Sequence, residues 1–379
     1  MVDFVKISTR PGKRGTTEVY PRLRIMNSKD LMIRGGDFYA IWLEDRGLWS
    51  TNEMDVVDLI DDAIEEFYNN HREEIPSMHM LKMGDAETGM IDAWHRYCQR
   101  QMRDNYVPLD EHLVFANSPV RKEDYASKRL PYPLEAGDFS SWDRLIGTLY
   151  SEEERHKLEW AIGSIVSGDS KKLQKFLVLY GAQGTGKSTI LNVIEKLFAG
   201  YCSIFDAHAL GSASNQFALE AFRSNPLVAI QHDGDLSRIE DNTRLNSLVS
   251  HEKMTVNEKF KSTYEQDFKA MLFMGTNKPV RITDAKSGLL RRLIDVSPSG
   301  NTLNRRDYEK AVGMIPFELG AIASHCLDVY MQDPHYYDDY TPLGMVEASN
   351  DFYNFMADHY MEFKKENSIT LRDAWELYN

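Results

Sequence analysis

Two apolar patterns divide this chain. One recurs at helical spacing and the other comes in short unbroken runs. Val56, Ile60, Ala63, Ile64 and Phe67 predict an amphipathic helix over 54–69, and a second helix is expected over 87–104 with Met90, Trp94 and Cys98 on one side as core. Ahead of them, Phe38, Tyr39, Ile41 and Trp42, followed by Gly47-Leu48-Trp49, predict a short strand pair over 36–50. The unbroken runs are Phe176–Tyr180, Leu227–Ile230 and Ala270–Met274. Runs of strand length without polar alternation fit strands buried on both faces of a sheet. Helical stretches over 140–168, ending at Gly168, and over 190–198 are interleaved with them, which argues for an α/β core with a largely parallel sheet.

These patterns mark five regions. Residues 1–30 are polar and basic, with Lys6, Arg10, Lys13, Arg14, Arg22 and Arg24, and Pro11, Gly12 and Gly15 suggest a loop or arm. Residues 31–130 form a mixed α/β N-terminal domain. Residues 131–170 are a linker, rich in Pro, Gly and Ser over 131–142, with a helical segment behind it. Residues 171–300 carry the sheet, and 301–379 are a helical C-terminal region. A helix start at Thr370, with Asp373 in the capping position, leads us to expect that the chain continues past Asn379. No internal repeat or low-complexity tract is present in the sequence.

Composition narrows the class. Hydrophobic residues make up 42% and charged residues 27%, as in a globular protein. No run of apolar residues is long enough to cross a bilayer, and the N-terminus lacks an apolar signal core, so no membrane partner is expected. Cys98, Cys202 and Cys326 have neither disulfide nor metal spacing, and the simplest reading is a reducing, cytoplasmic compartment. A net charge of −14 argues against a surface coated with nucleic-acid contacts, but not against a local basic grip.

The chemistry starts at residues 181–188. Gly181-Ala182-Gln183-Gly184-Thr185-Gly186-Lys187-Ser188 matches G-x-x-x-x-G-K-[ST], between an expected buried strand and an expected helix. Glycines there let backbone N–H groups close on phosphate oxygens, and the helix start adds its positive end. Lys187 is expected to reach the β- and γ-phosphates of ATP, Ser188 to bind Mg²⁺, and Thr189 to complete the nucleotide-binding set. Hydrolysis also needs a carboxylate beside the metal, at the end of a neighbouring strand. Asp233 is favoured and Asp235 is the rival, with Gly234 expected to end the strand between them. Asn277, at the end of the third run, could hold the attacking water. Lys253, Lys259 and Lys261, with Phe260 and Tyr264, suit contact with a single nucleic-acid strand. Arg291 and Arg292 could stabilise γ-phosphate charge at the mouth of the site, or act on a neighbouring subunit's site.

Taken together, these residues resemble the superfamily 3 helicases, most closely the phage and large-virus primase-helicase branch. The resemblance covers 131–300 and is looser over 36–130. Gly181–Ser188 resembles the first motif and Leu227–Asp233 the second, although His232-Asp233 stands where many relatives have two acidic residues. Met254–Lys261 is similar to the lysine-bearing pore hairpin, Phe273–Asn277 to the sensor strand, and Gly288–Leu293 to the arginine-finger segment. The end at Thr370–Asn379 resembles the start of a further helical or winged-helix domain. The resemblance implies an AAA+-like P-loop NTPase core in a hexameric homo-oligomer. Such a ring would use ATP and Mg²⁺ to move along single-stranded DNA in the host cytoplasm. No zinc-finger cysteines and no paired-carboxylate polymerase motif are found, so priming would belong to another domain or partner. A non-unwinding ATPase, such as a loader or remodeler, and a small-molecule kinase are the alternatives.

Overall fold

The computed structural model describes residues 5–23, 31–34, 38–75, 77–85, 89–101, 107–211, 218–234, 243–257, 264–280 and 288–348, with 370, 372, 375 and 376. They fall into two compact units, Met1–Val114 with Ser118–Arg129, and Phe115–Asn117 with Leu130–Asn379.

In the first unit, β1 (Val5–Pro11) and β2 (Thr17–Leu23) pair antiparallel, from Val5↔Leu23 to Pro11↔Thr17. This overturns the expectation of a loop over the start of the chain. Pro11, Gly12 and Gly15 build the hairpin turn, with Gly15 at φ +76° and the Gly12 amide donating to Thr16 O at 2.7 Å. The charges hid the alternation: Val5, Ile7 and Val19 face the core, while Lys6, Arg10, Tyr20 and Arg22 share the other face. A second sheet follows, β3 (Leu31–Arg34), β4 (Phe38–Leu43) and β5 (Leu48–Ser50), antiparallel throughout. Helix α1 (Glu53–His71) starts at Asn52, whose side chain accepts the Met54 amide at 3.2 Å, and buries Val56, Val57, Ile60 and Ile64. Strand β6 (Met78–Met80) adds to β2 in parallel, and α2 (Met90–Gln101) brings Trp94 and Cys98 into the same core.

The second unit opens with α3 (Ser140–Leu149) and α4 (Glu152–Ser167). The single helical stretch expected over 140–168 is therefore two helices. The break falls at Tyr150-Ser151, where Ser151 caps α4 by accepting the Glu154 amide. Strand β7 (Phe176–Tyr180) leads through the glycine loop into α5 (Lys187–Leu197). Next come β8 (Cys202–Ile204), α6 (Ala207–Leu210), β9 (Val228–Gln231) and α7 (Thr243–Val249). A separate antiparallel pair, β10 (Lys253–Val256) and β11 (Tyr264–Asp267), precedes β12 (Met271–Thr276), β13 (Leu293–Val296), α8 (Arg305–Gln332) and α9 (Leu343–Ala348).

The main sheet has the order β13-β7-β12-β9-β8, and every pair in it is parallel. The three apolar runs form its centre. Phe176, Val178, Ala229, Leu272 and Met274 enter a core with Phe205, Phe222 and Phe268. Their alternating neighbours, including Leu177, Leu179 and Phe273, are fully buried, and α5 lies against Gly275 through Leu191. On Gly163, in α4, a Cβ would lie 2.0 Å from Cys326 O of α8, so only glycine allows this helix contact. Helix α8 is the one described helix long and apolar enough to cross a membrane, and half of that window is buried.

Candidate functional site

Parallel strands put their carboxyl ends on one edge of the sheet, which is where open α/β sheets bind ligands. Here that edge collects the ends of β7, β12 and β9, adjacent in the sheet. The glycine loop leaves β7, Asn277 follows β12, and Asp233 follows β9 by two residues. Gly184 and Gly186 take φ +80° and +90°, the left-handed region that side chains disfavour. A Cβ on Gly186 would also come within 2.7 Å of Leu149. Thr185 Oγ1 closes the loop on Ala182 O at 2.8 Å.

Lys187 opens α5 and is buried. Its ammonium donates to Gly181 O at 2.7 Å, Ala182 O at 2.8 Å and Asn277 Oδ1 at 2.8 Å. The Asn277 amide donates in turn to Asp233 Oδ1 at 3.4 Å. Loop lysine, strand-end amide and strand-end carboxylate thus form one chain. Burial presses the Lys187 amine below the usual lysine range, and the Asp233 charge pulls it partly back.

A cavity of about 580 Å³ lies over this chain. Gln183 through Thr189, His232, Asp233 and Asn277 line one part, and Leu149, Thr302, Leu303, Arg305 and Tyr308 line the rest. His232 Nε2 stands 3.6 Å from Glu195 Oε2, outside the chain. Tyr308 Oη is 3.1 Å from Thr189 Oγ1 and ties the start of α8 to α5. No group of three or more His, Cys, Asp and Glu is poised for a metal among the described residues. Ser188 and Asp233 fit a different demand: Mg²⁺ takes one or two protein oxygens and completes its shell with phosphate and water.

Arg305 and Tyr308 were not anticipated from the sequence. Their signal was the helix start at Asn304, which accepts the Asp307 amide at 3.0 Å and so fixes the first turn of α8 beside the loop. The arginine pair is not at the mouth of this chain's own site. Leu293 pairs with Phe176, so Arg291 and Arg292 precede β13 at the opposite end of the sheet from the loop. Arg292 is buried and committed, donating to Gly288 O at 2.7 Å and to Ser250 Oγ at 2.6 and 2.9 Å. Burial, then the Arg291 charge, holds it below the usual arginine range. Arg291 is exposed. Lys253 is also exposed and pairs with Asp267 at the open base of its hairpin, away from the connecting segment. Asp235, Lys259 and Lys261 lie outside the described residues, as do Phe260 and most of Thr370–Asn379.

Fold and site together define an α/β protein with a five-stranded parallel sheet and a glycine loop at its carboxyl edge. A family of unknown function (DUF5906) matches residues 179–292, which hold the loop and all three strand ends. No curated protein matches the chain. Among solved structures, the A-form apo C-terminal region of NrS-1 is similar, with 12% identity, a TM-score of 0.51, and coverage of 92% of this chain and 82% of that one. A second apo structure of that region has 11% identity, the same coverage and a TM-score of 0.45. The likeness is one of fold.

Proposed function

We propose that this chain is an ATP-dependent, ring-forming DNA helicase of phage or virus-like replication. The observation that carries the reading is the Lys187–Asn277–Asp233 chain beneath the cavity, floored by the glycine loop. A triphosphate laid along that loop would draw Lys187 from the carbonyls of Gly181 and Ala182 onto its β- and γ-oxygens. Asn277, released from the lysine, would face the attacking water while Asp233 orients its amide. Ser188 and Asp233 would hold Mg²⁺, which neutralises phosphate charge when bound. Arg305 stands in the same cavity and would meet the triphosphate from its own subunit.

The arginine completing the site would come from a neighbour, because this chain's pair is at the far end of the sheet. Arg291 suits that role better than Arg292, whose guanidinium is already held inside its own subunit. Head-to-tail contacts of this kind close into a ring. The segment joining β10 to β11, with Lys259 and Lys261, would grip single-stranded DNA in the pore, and any priming would fall to another domain or partner.

The test is ATP hydrolysis by the purified chain, with and without single-stranded DNA at low salt, alongside its mass in solution. Strong stimulation by DNA in a particle near six subunits is expected. Turnover by a monomer, indifferent to DNA, would refute the helicase reading and favour another ATPase.

A further inference from the structure

The hairpin of β1 and β2 presents a cationic face that the proposed ATPase does not use. In the register of the pair, Lys6 stands opposite Arg22, Ser8 opposite Tyr20, and Arg10 opposite Glu18. These six positions share one face, because Val5, Ile7 and Val19 take the other into the core. Lys6, Arg10 and Arg22 are exposed, and the turn adds exposed Lys13 and Arg14. Glu18 is the only carboxylate on the two strands, and Arg10 engages it at 2.7 Å. The Arg10 guanidinium also lies 5.0 Å from the centre of the Tyr20 ring. Beside this face, Tyr20, Arg22, Met83, Met90 and Ala93 help to line a cavity of about 240 Å³.

This composition is unusual in a chain of net charge −14. A lone basic strand would be a solvated edge. Here the cations flank a half-buried aromatic ring, with a largely apolar recess next to it. Stacking platforms for unpaired bases combine these parts: cations that follow the backbone, and an aromatic face that accepts any base. Lys6 and Arg10, four residues apart on β1, stand about 14 Å from each other, and Lys6 faces Arg22 across the pair, so the cations bracket Tyr20 rather than forming a row. A lipid surface would need the cations but would have no use for the ring, from which Arg10 would swing onto a phosphate as a base stacks.

We infer that the outer face of the β1–β2 hairpin binds single-stranded nucleic acid independently of sequence, with Lys6 and Arg22 on phosphates and Tyr20 under a base. This surface belongs to the first unit and does not depend on ATP, so it stands or falls separately from the helicase reading.

The test uses the full chain without nucleotide and a short fluorescent oligo-deoxythymidine, read by anisotropy over a salt series. The double variant Lys6→Ala/Arg22→Ala should bind about tenfold more weakly, with a salt dependence shallower by about 0.7 for each phosphate no longer neutralised. Tyr20→Leu should weaken binding several-fold while leaving the salt slope unchanged. Affinity and slope both equal to those of the unaltered chain would overturn the inference. So would equal or tighter binding of a duplex, or loss by the double variant of binding to phosphatidylserine vesicles with oligonucleotide binding intact. Ultraviolet crosslinking of the unaltered chain to the same oligonucleotide, mapped by mass spectrometry, checks the surface without any variant. Adducts on Tyr20 are expected, and adducts confined to residues 258–263 would refute it.

Discussion

Lys187 donates its protons inward, to two carbonyls of its own loop and to Asn277, while the nearby Asp233 charge draws its amine back up. Asp233→Asn removes that charge and keeps the shape, so the amine should fall further below the lysine range. Mild acylation at slightly alkaline pH, mapped by mass spectrometry, should then label Lys187 several-fold faster than in the unaltered chain. The sign for stability follows. A lysine with a lowered native value carries fewer protons folded than unfolded, so stability rises with pH through that window. The variant's window opens at lower pH, which a thermal melt across pH would register. The arginine pair separates by burial. Arg292→Ala strands Ser250 Oγ and the Gly288 carbonyl, and should cost about 2–3 kcal/mol in denaturant unfolding. Arg291→Ala should stay within about 0.5 kcal/mol, since its side chain is exposed. If Arg291 is the residue given to a neighbour, ATP turnover falls with this variant all the same. The loop, Asp233 and Asn277 were legible in sequence because each lies within two residues of the end of an apolar strand. Arg305 and Tyr308 were not, because they reach the cavity from a helix far along the chain, through packing that no local pattern records.

At the level of elements, α4 and α8 meet where Gly163 leaves room for the Cys326 carbonyl. Gly163→Ala would force the helices apart. A loss of about 2–3 kcal/mol, read as a lowered unfolding midpoint, is expected from such overpacking. The central strands could be recognised from their unbroken apolar runs. Strand β13 escaped because Asp295 interrupts its run. In the fold that carboxylate is buried and satisfied, accepting from the Tyr340 hydroxyl and, at 3.1 Å, from the Met345 amide. Strands β1 and β2 escaped for the opposite reason: half of their alternation is a row of charges. The short β8, three residues long, had no pattern to find.

For the whole molecule, the proposed shared site makes a prediction about mixtures. Lys187→Ala and Arg291→Ala subunits should each be inactive alone, yet regain part of the ATP turnover when mixed, since some interfaces would pair an intact loop with an intact arginine. No recovery at any ratio would count against a site built across subunits. The main sheet itself is poorly suited to such contacts. On the β13 side, the Lys157 ammonium occupies the Asp295 carbonyl at 3.0 Å, and the Glu154 carboxylate takes the Ser297 amide at 2.8 Å. On the β8 side, the strand is too short to template another. A parallel sheet blunted at both margins offers a second chain little ladder to extend. At this sheet, crowded copies are thereby hindered from growing into one another strand by strand.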